Sequence, residues 1–464
     1  MKKTNTKRNM QAMLVVAVFM FVLLGGYLLY TTVAHGDEWF SSPYNPRISA
    51  ANNIKNAGGI YDRNGVRLAW SEGDERKYAQ NTDMRRAVSH IVGDVYGMSV
   101  GAESYFAKYL YGYDQGIMDK FLGAAAGSET RGGDVYLTID ANLSEYIYNN
   151  MDYNGAAVLM NYQTGEILAS VSVPTFDPEN IKSDTDDAGS KYVNRAVQGR
   201  YPPGSTMKLV TTACAVENGV TTHETDCTGT KTIAGQKITC PTSGGHGHVN
   251  FDSAFTRSCN IYYAELANLL GESSMKSTAE RMGFNQSFDF TDINVSKSSY
   301  EAPNNDGDLG WAGIGQYKDL VTPMHNMLIS AGVANGGTVM EPKTLLDVRY
   351  GSRSGYTFRS NTYRSIMSSG TAQQVGVLMR QTVDHGTATS ANIGGATVCG
   401  KTGTAEYYDN EAGAVKNHSW FVGYVEDSSH PLAIAVILEG AGFGSAHATP
   451  LAGQIFSKAI ELGY

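Results

Sequence analysis

The sequence predicts an α/β (α+β) protein that has one membrane-spanning helix, a small β-rich N-terminal domain and a larger domain built on an antiparallel sheet. Three observations support this prediction. The stretch from Ala12 to Ala34 contains no charged residue. Two β-rich runs at 155–173 precede a series of helical patterns, and three further strand-like runs lie near the C-terminus. Strands at both ends of one domain imply that its sheet is completed by the C-terminal part of the chain.

The uncharged N-terminal stretch is long enough to cross a bilayer, which takes about 20 apolar residues as a helix. The basic residues before it are Lys2, Lys3, Lys7 and Arg8. Asp37 and Glu38 follow it, so the charge distribution places the N-terminus in the cytoplasm. A cleaved signal peptide is the alternative, but its apolar core is about 7–15 residues long. We therefore predict a single-pass protein of the cell membrane whose remaining chain lies outside the cytoplasm.

The composition and the local patterns divide the chain into three parts. Residues 1–35 are the predicted tail and anchor, residues 36–151 a pedestal, and residues 152–464 the main domain. In the pedestal, Asn64-Gly65 between alternating runs is a strong hairpin signal. In the main domain, Thr164-Gly165 joins the first two β-rich runs. Acidic and basic residues are evenly spread at a formal net charge of −9, which argues against nucleic acid as a partner.

Five cysteines are few for a chain of 464 residues. Cys227 and Cys240 bracket two short strand-like runs, so we hypothesise a disulfide that would stabilise the fold by about 3 kcal/mol in the chain-entropy model. The others are predicted to be buried thiols: Cys214, Cys259 and Cys399. No C-x-x-C pair occurs, and His246 and His248 have no evident third ligand nearby in the sequence. No metal site and no cofactor are therefore predicted.

A serine and a lysine lie three residues apart in "RYPPGSTMK", at the predicted start of an apolar helix. Positions i and i+3 share a helix face, so the Lys208 amine can lie beside the Ser205 hydroxyl and take its proton. The lysine acts as a base only if its pKa is lowered from about 10.4. Alternatively, Ser205 only caps the helix and Lys208 is solvated. The spacing alone does not decide, because Ser273 and Lys276 repeat it.

Two further motifs favour catalysis. "SCN" (258–260) precedes a second helical pattern, and "KTG" (401–403) lies in a strand pattern near the C-terminus. S-x-x-K, an S-x-N-type triplet and K-T-G are together the motif set of penicillin-binding proteins and class A β-lactamases.

With these motifs the chain resembles a class B penicillin-binding protein, a peptidoglycan D,D-transpeptidase. The resemblance extends to "GGIYDRNG", "NRAVQGRYPPGSTMK", "IGQYKDLVTPMHNMLISAGVANGG", "CGKTGTAEYY" and "HSWFVGYVE". It covers roughly residues 57–460. It implies a penicillin-binding, serine β-lactamase-like fold, in which the antiparallel sheet lies between helical layers and Ser205 lies at their junction.

The resemblance also implies roles for the motif residues. Ser205 would attack the penultimate D-Ala carbonyl of a stem peptide, form an acyl-enzyme and release the terminal D-Ala, while Lys208 acts as the general base. Ser258 and Lys401 would relay a proton to the leaving amine. Asn260 would hydrogen-bond the substrate backbone or Lys208. An amine from a neighbouring strand would then resolve the ester into a cross-link, and β-lactams would acylate the same serine.

The K-T-G strand would bind the substrate. Thr402 and Thr404 would hold its terminal carboxylate, and Gly403 would leave room for the substrate to lie along the strand. The backbone N–H groups of Ser205 and Thr404 would form an oxyanion hole.

The resemblance leaves three rival functions, namely a β-lactamase or β-lactam sensor of the same fold, a D,D-carboxypeptidase, and a non-catalytic cell-wall scaffold. The partners that it implies are stem peptides, a SEDS-family glycan polymerase and other division or elongation proteins. No acidic residue with a convincing motif context for activating water is evident, which counts against the β-lactamase. The presence of every motif side chain counts against the scaffold.

Overall fold

The computed structural model describes residues 6–40, 54–115, 131–181, 190–301, 303, 305–409 and 413–464. Helix α1 (Thr6–Phe40) comes first. Its Arg8–Thr31 portion has a mean hydropathy of 2.6 and is long and apolar enough to cross a membrane. This helix is a candidate membrane anchor at the place where the sequence predicts one. Lys2 and Lys3 of the predicted tail lie outside the described residues.

The elements of the N-terminal part are short. They are β1 (Ile60–Tyr61), β2 (Arg67–Glu72), β3 (Glu75–Tyr78), α2 (Thr82–Ala87), α3 (Ser89–Val92), α4 (Ala102–Tyr105), α5 (Ala107–Leu110) and β4 (Asp134–Leu137). The hairpin predicted at Asn64-Gly65 is confirmed, because β1 and β2 pair antiparallel around it. The Asp62 carboxylate accepts the N–H groups of Asn64 and Val66 at 2.9 and 2.8 Å. Gly65 supplies the positive φ of +82° that the turn requires.

The main part alternates strands and helices. Its first half contains α6 (Ala141–Asn149), β5 (Gly155–Asn161), β6 (Ile167–Val173), α7 (Lys208–Glu217), β7 (Thr225–Cys227), β8 (Thr230–Ile233), β9 (Gln236–Thr239), β10 (Gly247–Val249), α8 (Phe251–Thr256) and α9 (Asn260–Arg281). Its second half contains α10 (Asp306–Gly313), α11 (Pro323–Ala334), β11 (Thr338–Met340), β12 (Leu345–Tyr350), β13 (Arg353–Thr357), β14 (Thr362–Ser365), α12 (Ser369–His385), β15 (Val398–Asp409), β16 (Ala414–Val425), β17 (Leu432–Leu438) and α13 (Ala448–Glu461). Short 3₁₀ turns lie at Ile54–Asn56, Gly204–Met207 and Thr389–Ala391.

The central sheet has the order β15-β16-β17-β5-β6 and is antiparallel throughout. The C-terminal strand β17 pairs with β5, so the prediction of a sheet completed by the C-terminal part of the chain is confirmed. Alternate residues of β5 face opposite cores. Val158 packs in the core that contains α11, and Leu159 in the core that contains α6 and α13. The sheet therefore lies between helical layers, as predicted.

A second sheet contains strands from both sides of the predicted boundary between pedestal and main domain. Its order is β13-β12-β4-β1-β2-β3, and β12 pairs antiparallel with β4. Strands β12 and β13 come from residues 345–357, within the predicted main domain 152–464. The predicted pedestal 36–151 is therefore not a separate unit of the sequence, because its strand β4 pairs with β12, which comes much later in the chain. Pairing between such distant segments leaves no local pattern in the sequence.

Candidate active site

Ser205 lies in the 3₁₀ turn Gly204–Met207, and helix α7 begins three residues later, at Lys208. No side chain caps either the turn or α7, so the predicted capping role of Ser205 is wrong. Its hydroxyl instead lies 3.1 Å from Lys208 Nζ. Ser205 is half-buried and lines an open cleft, whereas the Lys208 side chain is fully buried beneath it. The spacing therefore brings a reachable hydroxyl and a desolvated amine together.

The Lys208 amine is surrounded by oxygen atoms of the S-x-N segment as well. Its Nζ lies 2.8 Å from the Ser258 carbonyl oxygen, 3.1 Å from Ser258 Oγ and 2.8 Å from Asn260 Oδ1. Asn260 is held from its other end, because Nδ2 donates to the carbonyl of Thr239 at 2.8 Å. These contacts fix the amine within reach of Ser205.

Lys401 completes the polar cluster from the central sheet. Its Nζ donates to Ser258 Oγ at 2.9 Å and to the Thr402 carbonyl at 3.3 Å. Ser258 therefore lies between the two lysine amines. Its backbone φ of +56° is unusual for a residue other than glycine, and such conformations concentrate at functional sites. The structure thus brings together the five predicted catalytic residues, Ser205, Lys208, Ser258, Asn260 and Lys401.

Burial disfavours a charge on both lysines. It lowers the pKa of Lys208 to about 8, although the neighbouring Cys240 and Cys259 act in the opposite direction. Burial, followed by repulsion from Lys208, lowers the pKa of Lys401 well below its ordinary value. A lysine whose pKa lies near neutrality has the neutral amine available as a proton acceptor.

The K-T-G residues lie on β15, the edge strand of the central sheet. The Thr404 carbonyl accepts a hydrogen bond from Gln316 Nε2 at 3.3 Å, away from the partner strand. In an antiparallel edge strand the N–H of the same residue faces the same side, so the N–H of Thr404 faces the cleft. A Cβ atom on Gly403 would lie 2.8 Å from Trp420 Cβ and 2.9 Å from Thr206 Cγ2. Close contact with β16 and the serine turn therefore requires glycine at this position.

The cleft has a volume of about 310 Å³. Ser205, Ser258, Asn260, Thr402 and Thr404 are among the residues that line it. Sequence reasoning missed other lining residues, among them Thr239, Trp311, Gln316, Thr387, Asn417 and Phe443. Gln316 lies inside the family-like stretch "IGQYKDLVTPMHNMLISAGVANGG". The others lie in segments without a motif.

The hypothesised disulfide between Cys227 and Cys240 is not formed in the structure. All five cysteines are free, and these two sulfur atoms lie 3.6 Å apart, whereas a disulfide bond is about 2.05 Å long. The hairpin between them is present as β8 and β9. Cys259 and His246 lie beside the pair, so the reason given for predicting no metal site, the lack of a third ligand, is wrong too.

The chain is similar to known proteins over most of its length. The family model for the penicillin binding protein transpeptidase domain matches residues 155–461. The Peptidoglycan D,D-transpeptidase PbpA of Mycobacterium tuberculosis H37Rv is 27% identical over 370 residues, which cover 72% of this chain and 74% of that protein. The protein of the same name from Mycolicibacterium smegmatis is 26% identical over 491 residues, which cover 98% of this chain and 99% of that protein.

The fold also matches solved structures. Penicillin-binding protein A from M. tuberculosis, as its ceftriaxone acyl-enzyme complex, superposes with a TM-score of 0.80 at 25% sequence identity. The match covers 88% of this chain and 99% of that one.

Proposed function

The chain belongs to the penicillin-binding protein transpeptidase family, and from this premise we propose that it is a serine-type peptidoglycan D,D-transpeptidase that β-lactams acylate. The observation that carries the proposal is the buried Lys208 amine, 3.1 Å from the half-exposed Ser205 hydroxyl. The curated relatives bear the name peptidoglycan D,D-transpeptidase, and the related M. tuberculosis structure is a ceftriaxone acyl-enzyme.

In the acylation step, the neutral amine of Lys208 takes the proton of Ser205 as Oγ attacks the carbonyl carbon of the penultimate D-Ala. The negative charge that develops on the carbonyl oxygen is stabilised by the N–H groups of Ser205 and Thr404. Preorganised donors of this kind contribute about 3–4 kcal/mol each in other enzymes. Thr402 and Thr404 bind the terminal carboxylate of the donor peptide from the edge of β15.

Collapse of the tetrahedral intermediate breaks the peptide C–N bond, and the terminal D-Ala leaves as an amine that needs a proton. Ser258 Oγ lies within hydrogen-bond distance of both Lys208 Nζ and Lys401 Nζ, at 3.1 and 2.9 Å. The proton taken from Ser205 can therefore pass from Lys208 to the leaving amine through Ser258. An acceptor amine then attacks the Ser205 ester and forms the cross-link.

Covalent labelling by fluorescent penicillin tests the proposal. We expect the full-length protein in detergent to acquire a label that persists for hours, because deacylation by water is slow in a transpeptidase. Ser205→Ala should abolish labelling without lowering the thermal midpoint of unfolding, since Ser205 caps no helix. Ser273→Ala, in the other S-x-x-K sequence, is the matched control and should label like the unmodified protein.

The other outcomes contradict the proposal in different ways. Label that is lost within minutes would indicate a β-lactamase. No label on folded protein would indicate a non-catalytic scaffold. Release of D-Ala from a stem peptide without cross-linked product, in the presence of an acceptor amine, would indicate a D,D-carboxypeptidase.

We also propose that α1 anchors the protein in the cell membrane with its N-terminus in the cytoplasm and its cleft outside. The basic residues that precede the apolar segment support this orientation. A SEDS-family glycan polymerase and other division or elongation proteins are the proposed partners, by resemblance to the family. Protease added to intact cells should remove the cleft-bearing part, whereas an N-terminal tag should stay protected.

A further inference from the structure

Three side chains that no catalytic motif uses line the cleft beyond the K-T-G residues. Glu406 lies on β15 and Asn417 lies on β16, directly opposite each other in the strand register. Residues opposed in this way in an antiparallel pair have their side chains on the same face of the sheet. The third side chain is Phe443, in the loop after β17. All three line the cleft that contains Ser205.

The two polar side chains present hydrogen-bond acceptors that lack a donor. Glu406 is exposed, and within the described residues its carboxylate takes part in no ion pair or hydrogen bond. Asn417 is half-buried, and its Oδ1 atom is buried without a hydrogen-bond partner in the same part of the chain. A buried acceptor without a donor is unfavourable, and an ionised carboxylate only accepts hydrogen bonds. Together they favour a ligand group that donates hydrogen bonds and carries a positive charge.

An exposed aromatic residue lies beside these acceptors. Phe443 is 53% exposed, although its loop is fixed to the sheet on both sides. The Gly442 N–H donates to the Asn417 carbonyl at 3.0 Å, and the Gly444 N–H donates to Thr404 Oγ1 at 3.3 Å. Phe443 is therefore held between Asn417 and Thr404, where its ring can pack against the methylene groups of a ligand and attract a cation.

The position of Glu406 on β15 indicates which part of a substrate reaches it. Thr402, Thr404 and Glu406 are alternate residues of one strand, so their side chains share a face. The proposed function places the terminal D-Ala carboxylate at Thr402 and Thr404, and the peptide that precedes it therefore runs toward Glu406. At about 3.4 Å per residue, Glu406 lies about 7 Å beyond Thr404. An extended donor peptide covers this distance with the residue that precedes the penultimate D-Ala.

We propose that Glu406, Asn417 and Phe443 form a subsite for a primary ammonium group, carried by the side chain of the donor residue that precedes D-Ala-D-Ala. The Glu406 carboxylate pairs with the ammonium, and Asn417 Oδ1 accepts one of its hydrogen bonds. Phe443 packs against the methylene groups that carry it. The subsite selects the donor peptide and takes no part in making or breaking bonds. This inference rests on the proposed function, because it assigns a substrate class to the same cleft.

Two penicillins that differ by one charge test the subsite. Both derive from 6-aminopenicillanic acid, one with a 6-aminohexanoyl side chain and the other with the N-acetylated form of that side chain. The first places an ammonium where a lysine side chain in the donor would end. We expect the full-length protein in detergent to be acylated about fivefold faster by the first compound, which is the size of effect that an exposed ion pair gives. Mass spectrometry of the intact protein measures both rate constants, and equal values would overturn the proposal.

Variants assign the preference to the subsite. Glu406→Gln should lower the ratio of the two rate constants to about one and leave acylation by the N-acetyl compound unchanged, because glutamine keeps the shape without the charge. Asn417→Leu should lower the ratio about twofold through the loss of one hydrogen bond. Glu72→Gln is the matched control, since it removes the same charge from an exposed residue of β2 outside the cleft. A ratio that persists in Glu406→Gln, or that falls equally in Glu72→Gln, would refute the role of Glu406.

The same measurements separate this inference from the proposed function and from an acceptor site. Acylation by both compounds at one rate would contradict the subsite alone. Acylation by neither would contradict the proposed function and remove the donor to which the subsite is assigned. An acceptor peptide also carries an ammonium group, so transfer from the acyl-enzyme to an added lysine-containing peptide is measured as well. If Glu406→Gln slowed this transfer and left the acylation ratio at its original value, the group would serve the acceptor, and the assignment to the donor would be wrong.

Discussion

Two buried lysines share a single serine in the candidate active site. Lys208 and Lys401 both lie within hydrogen-bond distance of Ser258 Oγ, at 3.1 and 2.9 Å, and both side chains are fully buried. Two ammonium groups so close together in a desolvated site repel each other strongly. At least one amine is therefore kept neutral near physiological pH, which is the state that a general base requires.

The pH dependence of acylation follows from this arrangement. Burial lowers the pKa of Lys208 to about 8, and only its neutral amine accepts the Ser205 proton. The rate constant for acylation by penicillin should therefore rise roughly tenfold per pH unit below 8 and level off above it. Single-turnover labelling between pH 6 and 9 measures this. Lys208→Arg, which stays charged throughout, should remain inactive, and a flat profile for the unmodified protein would exclude Lys208 as the base.

At the scale of elements, the serine turn is positioned by backbone contacts that only glycine permits. A Cβ atom on Gly204 would lie 2.5 Å from the Thr404 carbonyl oxygen, and one on Gly315 would lie 2.3 Å from the Gly204 carbonyl oxygen. Both residues have positive φ, +54° and +73°. The loop after α10, the serine turn and β15 are thus in direct backbone contact. This contact sets the separation between Ser205 and Thr404.

Gly315→Ala should reduce the acylation rate more than it reduces stability. Its added methyl group forces the Gly204 carbonyl to move and shifts the oxyanion donors, and a misplacement of about 1 Å can lower a rate about 100-fold. Gly219→Ala is the matched control, because Gly219 has a similar φ of +69° but no atom within 4 Å of the added Cβ. Both substitutions share a backbone cost of roughly 1 kcal/mol. Equal acylation rates in the two variants would contradict this role of the contact.

Local signals in the sequence account for the elements that were predicted correctly. The Asn64-Gly65 hairpin and the β8–β9 hairpin each depend on neighbouring residues. The helical pattern that follows "SCN" is confirmed as the start of α9 at Asn260. The non-helical backbone of Gly271 divides α9 into two helical parts, the second of which contains Ser273. The capping role of Ser205 failed because Pro203 and Gly204 impose a tighter turn before the α-helix. Hydrophobic periodicity does not predict the backbone conformation at a glycine, so it could not predict this turn.

At the scale of the whole molecule, buried histidines link stability to pH. His90 and His325 are fully buried, and burial lowers the pKa of each to about 4. In the unfolded chain the pKa is about 6.5, so the unfolded state binds more protons between pH 4 and 6.5. The stability that each neutral histidine provides is complete above pH 6.5 and is lost as the pH falls to 4, by about 3 kcal/mol per residue.

The free energy of unfolding should therefore decrease between pH 6.5 and 4.5, as measured by denaturant titration in detergent. His325→Gln should make this decrease shallower, because glutamine does not titrate and its amide can still donate to the Met282 carbonyl that His325 contacts at 2.8 Å. His248→Gln is the control, since His248 is exposed and its pKa is raised by Asp226 and Glu224. An unchanged slope in His325→Gln would show that other groups cause the acid sensitivity.

The cysteine–histidine cluster and several lining residues of the cleft were not predicted, because they depend on long-range folding. The three motifs can be recognised in the sequence because each is a short run. The proximity of Cys227, Cys240 and Cys259 is evident only in the fold, where β7, β9 and α9 converge. Sequence spacing indicated a disulfide between Cys227 and Cys240, whereas the fold also places the Cys259 sulfur and the His246 imidazole beside them. The lining residues Thr239 and Thr387 were missed for the same reason.

The pairing of β12 with β4 has a consequence for the synthesis of the protein. A chain that has emerged only as far as α6 contains β4, but not the strand from residues 345–350 that covers its edge. During synthesis, one edge of β4 in the N-terminal sheet therefore stays unpaired until most of the main part has been translated. Dividing the chain at residue 152 therefore separates two strands, β4 and β12, that pair in the folded protein.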